Sequence, residues 1–209
     1  MIICIEGNIG SGKSELIASL EKHLAGESID FFPEPLDEWG ETLQLYMKNK
    51  RKWAALFALD VLRGFGKVAL SKARHQIVER SPRACRHVFC ELDRNAGNIS
   101  KDELPIIDQY FDLFNFQTNL TIHMDVNDAV CCDRIEMRGR AGEESLTYDM
   151  VRAISFQYDR MYKQFNEHPV VRCVQSNNET KEAFHARISY LILRAIQDHD
   201  KKHRLQDNE

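Results

Sequence analysis

The run Gly7-Asn8-Ile9-Gly10-Ser11-Gly12-Lys13-Ser14 constrains this chain more than any other stretch. It fits G-x-x-x-x-G-K-[ST], the spacing of a phosphate-binding loop. Met1-Ile2-Ile3-Cys4-Ile5-Glu6 before it is a short apolar run suited to a buried parallel strand. Leu16, Leu20 and Leu24 after it recur at helical spacing. Gly7, Gly10 and Gly12 can adopt backbone angles closed to other residues. Successive N–H groups can then point inward and form an anion nest, and the helix starting near Lys13 adds the positive end of its dipole. In such a loop Lys13 reaches the β- and γ-phosphates and Ser14 ligates Mg²⁺. The loop implies a nucleoside triphosphate and leaves the phosphate acceptor open.

The chain has 209 residues, 43% of them hydrophobic, enough for a single domain with a substantial core. Its net charge of −4 predicts no sequence-independent attraction to nucleic acid. Cysteines stand at 4, 85, 90, 131, 132 and 173, with no C-x-x-C pair and no Cys/His spacing for zinc. Cys4, Cys131 and Cys173 fall in apolar segments and read as buried free thiols, which implies a reducing, cytoplasmic setting. No targeting signal is visible, and no apolar run approaches the length of a membrane span. The charged tail, 198–209, is expected to fray.

Strand and helix patterns alternate along the chain. Residues 29–32 read as a second strand, ending at Pro33-Glu34-Pro35. Two prolines block both sheet and helix there, so Glu34 is pinned where a strand stops. Strand ends form the ligand crevice of an open parallel sheet. On these residues alone Glu34 is equally a site carboxylate and a solvated one. Helices are expected over 39–49 and 52–75, the second weakened or kinked at Gly64 and Gly66 by about 1 kcal/mol each. The second reads mainly as a core helix, with a few residues free to line a substrate. Gln76-Ile77-Val78-Glu79-Arg80-Ser81-Pro82 is the next strand ending. Ser81 and Pro82 suit the cap and first turn of a helix. Glu79 and Arg80 either pair with each other or serve as a metal-shell acid and a phosphate-binding guanidinium; their position favours the second reading.

Residues 102–115 read as a helix and 120–125 as the fourth strand, where His123 reads as a satisfied buried histidine. A helix capped by Asn127 or Asp128 runs through Ile135. Arg134, Arg138 and Arg140 follow closely, the first two on one helix face. Glycines and Glu143-Glu144 come next. A solvated charge run is the plain reading; a mobile lid over a transferring phosphate, at about residues 134–146, fits the preceding motifs better. A helix over 148–165, a strand over 170–174 and a helix over 179–198 close the chain, the last with Phe184, Ile188, Leu191 and Ala195 inward. The expected architecture is α/β, of the phosphate-loop NTPase type: a five-stranded parallel sheet with helices on both faces and an arginine-rich lid.

In their order, the glycine loop, Glu34-Pro35 with Trp39, Glu79-Arg80-Ser81 and the arginine segment ending Glu143-Glu144-Ser145 resemble the cellular and viral deoxynucleoside kinases, of the thymidine kinase 2 and deoxycytidine kinase type. The resemblance spans about residues 1 to 175. It implies transfer of the γ-phosphate of ATP to the 5′-hydroxyl of a deoxynucleoside, in nucleotide salvage. It implies Glu34 as general base, Arg80 steadying that carboxylate and the reacting group, Glu79 beside Mg²⁺, and Arg134, Arg138 and Arg140 covering the phosphates. Glu144 falls on the lid glutamate that binds the sugar 3′-hydroxyl. Trp39, Phe57, Val61, Phe65, Cys85 and Phe89 fall on base-pocket positions, with Phe57 stacking on the base. Tyr46 or Met47 falls on a tyrosine that bonds the 3′-hydroxyl.

The chain departs from the family at Ala58, where relatives carry a glutamine that reads the base edge. Its lid is also one residue longer, at Gly142. Uncharged Phe65 and Cys85 lean toward a pyrimidine, thymidine in particular. The resemblance also implies a homodimer, with helices 52–75 and 102–115 as candidate contacts. A thymidylate-type monophosphate kinase and a non-catalytic nucleotide-binding module are the alternatives.

Overall fold

Strands β1 (Ile2–Gly7), β2 (Ile29–Phe32), β3 (His75–Glu79), β4 (Leu120–Asp125) and β5 (Val170–Val174) form one parallel sheet in the order β2-β3-β1-β4-β5. The computed structural model describes residues 1–24, 28–140, 143–144, 146–165 and 168–206. Buried strands dominate the centre: β3 is buried throughout and β1 nearly so. The strand order reverses at β1, so the crevice beyond its carboxyl end is the topological switch point where ligands bind in such sheets.

Alternation along β1 divides the core. Ile3 and Ile5 join Leu16, Ile17 and Leu20 of α1 (Lys13–His23) and Phe184, Ile188 and Ile192 of α10 (Lys181–Gln206). Cys4 points the other way, to Ala54, Ala58 and Leu62 of α3 (Lys50–Gly64) and Ile107 of α7 (Leu104–Phe114). Side chains two apart share a face of a strand, so one strand serves both cores and the three-layer arrangement follows. α2 (Gly40–Lys48) packs on α3, while α8 (Asp128–Arg138) packs on α9 (Tyr148–Gln164).

Three expectations need correction. Helix 52–75 is two helices, α3 and α4 (Gly66–Leu70). Phe65 is the C-cap of the first and the N-cap of the second, and a Cβ on Gly66 would lie 3.3 Å from the Phe114 ring. The helix breaks between the two glycines, and Gly66 admits the end of α7, while Gly64 faces Trp39 and Pro35. Ser71 is extended, and His75 already belongs to β3. The tail does not fray from residue 198: α10 runs to Gln206, with Arg74 Nε 2.8 Å from Asp200 Oδ1. Its buried stripe is Phe184, Ile188, Ile192 and Ile196, a strict four-residue period, with Leu191 and Ala195 only half-buried.

Other expectations hold. Ser81 caps α5 (Pro82–Ala84), accepting from Ala84 N, and Asn127 caps α8. A π-helical turn (Cys85–Phe89) follows α5 and leads into α6 (Cys90–Asn95); nothing in the hydrophobic period announced it. All six cysteines are free. Among the described residues no helix is long and apolar enough to cross a membrane.

Candidate active site

The glycine loop turns between β1 and α1, as its spacing requires. Gly10 has φ 78° and Gly12 φ 95°. A Cβ at Gly10 would lie 2.5 Å from the Cys131 carbonyl oxygen, so only glycine fits. Asn8 ties the loop to the opposite wall: its Nδ2 donates to Val151 O and Ser155 Oγ, each at 2.7 Å. Ile9, Gly10, Lys13 and Ser14 line a cavity of about 470 Å³. Gly7, Asn8, Ser11 and Gly12 shape the loop from behind. Lys13 Nζ donates to Asn8 O at 2.8 Å, and burial draws its pKa down to about 8.

The register of β1 on β3 pairs Ile5 with Glu79, which brings both strand ends to the loop. Arg80 follows with φ 65°, the one positive φ outside glycine among the described residues. Such a conformation costs about 1–3 kcal/mol and persists where its surroundings fix it. Here they do. Arg80 Nε donates to Glu34 Oε1 at 2.9 Å. Its NH1 donates to Gly7 O at 3.0 Å and to Tyr158 Oη at 2.8 Å. The guanidinium carbon lies 4.7 Å from the centre of the Phe89 ring. Tyr158 in turn donates to Glu6 Oε2 at 2.8 Å, and Ser81 to Glu6 Oε1 at 2.6 Å. Burial pushes the Glu6 carboxyl above its ordinary range, against these hydrogen bonds and the Arg80 charge.

Glu34 is thus held at the cavity, not released to solvent. Its backbone N–H donates to Glu79 Oε2 at 3.2 Å, and Ser14 Oγ donates to Glu79 Oε1 at 2.8 Å. A hydroxyl and a carboxylate within hydrogen-bond distance are hard oxygen donors of the kind Mg²⁺ takes beside a phosphate. The donor set fits that ion. His123 stays outside this chemistry: burial lowers its pKa to about 3, and Nδ1 is 2.9 Å from Tyr162 Oη.

Every residue placed in the base pocket by sequence lines the same cavity: Trp39, Phe57, Val61, Phe65, Cys85 and Phe89, together with both Tyr46 and Met47. Tyr46 stacks on Phe57 with ring centres 4.9 Å apart and donates to Asp93 Oδ2 at 3.0 Å.

The lid segment is placed less as expected. Arg138 and Arg140 line the cavity, whereas Arg134 sits behind the loop, with NH1 3.4 Å from Gly10 O and NH2 3.0 Å from Gln175 Oε1. Glu143 lines the cavity and takes both nitrogens of Arg138, at 2.7 and 3.2 Å; Glu144 is exposed and outside the lining. In a non-periodic loop two adjacent acids cannot be told apart by pattern. Ala141, Gly142 and Ser145 lie outside the described residues.

Sequence reasoning also missed Glu6, Tyr158 and Asp93. Glu6 carried a signal, an acid in an otherwise apolar strand. Tyr158 and Asp93 sit in ordinary helical pattern and carried none.

Comparison with known proteins agrees with this geometry. The family model described as deoxynucleoside kinase matches residues 3–193. Putative kinase protein 029R of Invertebrate iridescent virus 3 is 34% identical over 161 residues, covering 76% of this chain and 80% of that one. A thymidine kinase of Ictalurid herpesvirus 1 is 28% identical over 168 residues, covering 76% and 73%. Deoxycytidine kinase 2 of Gallus gallus is 28% identical over 192 residues, covering 75% and 72%. A match over nearly the whole chain, on a parallel sheet whose strand ends carry the glycine loop and the acids, makes this protein a member of the deoxynucleoside kinase family, a phosphotransferase that phosphorylates a deoxynucleoside.

Proposed function

We propose that the protein transfers the γ-phosphate of ATP, with Mg²⁺, to the 5′-hydroxyl of a pyrimidine deoxynucleoside. The observation that carries this reading is the contact between Arg80 Nε and Glu34 Oε1 at 2.9 Å, on the wall of a cavity that also reaches Lys13 and Ser14. It gives the site an oriented carboxylate at the end where the phosphate is transferred.

Glu34 accepts the proton of the attacking hydroxyl, and Arg80 fixes which oxygen it presents. Phosphoryl transfer needs positioning and charge neutralisation more than covalent help. Lys13 and the loop N–H groups hold the donor phosphates, and Arg138 and Arg140 approach from the lid. Ser14 and Glu79 would hold Mg²⁺, which neutralises phosphate charge when bound. Phe57 and Phe89 provide aromatic faces for a base. Uncharged Phe65 and Cys85 support a pyrimidine and, on the family's pattern, thymidine in particular. Buried free thiols suit a reducing setting such as the cytoplasm. Ile106, Tyr110 and Leu113 are exposed on α7, a face that suits the contact of a homodimer.

The test is turnover with ATP and Mg²⁺, offering each pyrimidine deoxynucleoside and its 5′-monophosphate as acceptor. Deoxynucleosides are expected to react and monophosphates not; the reverse would make this a monophosphate kinase. Glu34→Gln is expected to lose about 10²- to 10⁴-fold in kcat while binding ATP as before. Turnover at the wild-type rate would remove Glu34 from its role.

A further inference from the structure

Beside Phe57, the α3 wall of the cavity offers no side-chain hydrogen bond to a base. Ala54, Phe57, Ala58 and Val61 line the cavity along one helix face, Phe65 follows at the helix end, and the polar lining residue of α3, Lys50, stands at the helix start with Nζ 5.4 Å from the centre of the Tyr46 ring. Only a methyl group stands at position 58. A base enclosed by such a wall would leave its polar edge unpaired, and an unpaired buried polar group is costly.

Polar groups do meet the cavity from another side. Asp93 on α6 follows Phe89 by one turn, and both line the cavity. The Asp93 carboxylate is held at each oxygen: Tyr46 Oη donates to Oδ2 at 3.0 Å and Asn98 Nδ2 to Oδ1 at 2.8 Å. A carboxylate offers about four lone-pair sites, so this one keeps capacity for further donors. Burial raises its pKa despite both hydrogen bonds, which marks a carboxylate short of solvation. Tyr46 also stacks on Phe57, the ring placed to stack on the base, so the anchored carboxylate adjoins that position.

We propose that Asp93, oriented by Tyr46 and Asn98, reads the base edge in place of a side chain at position 58, and selects a base that carries an exocyclic amino group. This inference rests on the deoxynucleoside kinase reading above. The chemistry is an N–H to carboxylate hydrogen bond, as when Asp or Glu accepts from cytosine N4. Uracil and thymine instead present a carbonyl oxygen at that position, which a carboxylate repels. Among pyrimidines the acceptor is then deoxycytidine, against the lean toward thymidine that Phe65 and Cys85 give by themselves.

Deoxycytidine and deoxyuridine test this directly, because they differ at that position and share sugar and ring size. The wild-type protein, with ATP and Mg²⁺, is expected to favour deoxycytidine in kcat/KM by about 5- to 150-fold. Asp93→Asn should abolish that preference, bringing the ratio to about one or below, and Tyr46→Phe should lower it less. Calorimetric titration with ATP checks that each variant retains the folded phosphate site. A wild-type protein without preference for deoxycytidine would overturn the proposal. So would an Asp93→Asn variant that loses activity equally on both nucleosides, since Asp93 would then hold the sugar or the fold. No phosphorylation of any deoxynucleoside by the wild-type protein would instead overturn the parent reading.

Discussion

Arginines approach the phosphate loop from two regions that are built in opposite ways. Arg80 comes from the end of β3, with its side chain 9% exposed, and contacts Glu34, Gly7, Tyr158 and the Phe89 ring. Arg138 and Arg140 come from the end of α8 and the segment just after it, 35% and 39% exposed, and share the single carboxylate of Glu143. A buried guanidinium held by three acceptors and an aromatic face has one geometry. A partly exposed one sharing an acid is held by about 0–1 kcal/mol and can exchange that acid for a phosphate. The base must be placed before the reaction starts, whereas the covering charges must come and go with the nucleotide. Under the function proposed above, the fixed arginine would serve the general base and the exchangeable pair the donor.

The largest break in this contrast is Arg80→Lys. An ammonium keeps the charge but cannot fork to Glu34, Gly7 and Tyr158 together. Each buried acceptor left unpaired costs about 1–3 kcal/mol, and for a chain of this size the loss of two lowers the melting temperature by on the order of 10 °C. Turnover should fall at least about 100-fold, since Glu34 loses its orientation. Calorimetric melting and steady-state kinetics measure both. A stable, active lysine variant would mean that the contacts around Arg80 do not set the geometry of the base.

Lys13 sharpens the contrast through pH. Burial lowers its pKa to about 8 from the ordinary 10.5. Between those values the unfolded chain binds more protons than the folded one, so the stability of the nucleotide-free protein rises with pH across that window. ATP binding runs the other way, because it needs the ammonium. ATP affinity should weaken above pH 8, by up to about tenfold per pH unit for one linked proton. Lys13→Arg should remove most of that slope. Titrations with ATP between pH 7 and 9.5 would show it; a flat wild-type profile would mean that the ammonium stays protonated throughout.

The same division explains what the sequence disclosed. The fixed end was legible because its chemistry demands particular residues at strand ends. The glycine loop follows β1, Glu34 sits between prolines after β2, and Glu79 and Arg80 close β3. Strand ends can be read from short apolar runs, so these residues could be brought together before any coordinates. The base end was not legible in this way. Asp93 faces the cavity only because α6, after a π-helical turn, meets α2 and α3 there, and a three-element junction leaves no period in the chain. Helix 52–75 failed for a related reason. Its hydrophobic period continues past Phe65, but α3 ends at Gly64, and Gly66 lets the end of α7 approach. In the arginine segment the expected acid was Glu144, whereas Glu143 is the one that lines the cavity.

The choice between these two acids supplies the smallest expected effect. Glu143→Gln removes the carboxylate shared by Arg138 and Arg140, both more than a third exposed, so the melting point should move by no more than about 1 kcal/mol of stability implies. A conformational anchor would cost several times that. ATP binding should not weaken, because the two arginines lose a competitor for phosphate. If Glu143 also touches the sugar from the cavity wall, KM for the deoxynucleoside should rise about tenfold, the worth of one hydrogen bond to a charged group. Glu144→Gln, on a side chain outside the cavity lining, should change neither constant. A variant at Glu144 that raises the nucleoside KM while Glu143→Gln does not would exchange the two roles, and would mean that the lid closes with its acids rotated from the arrangement seen here.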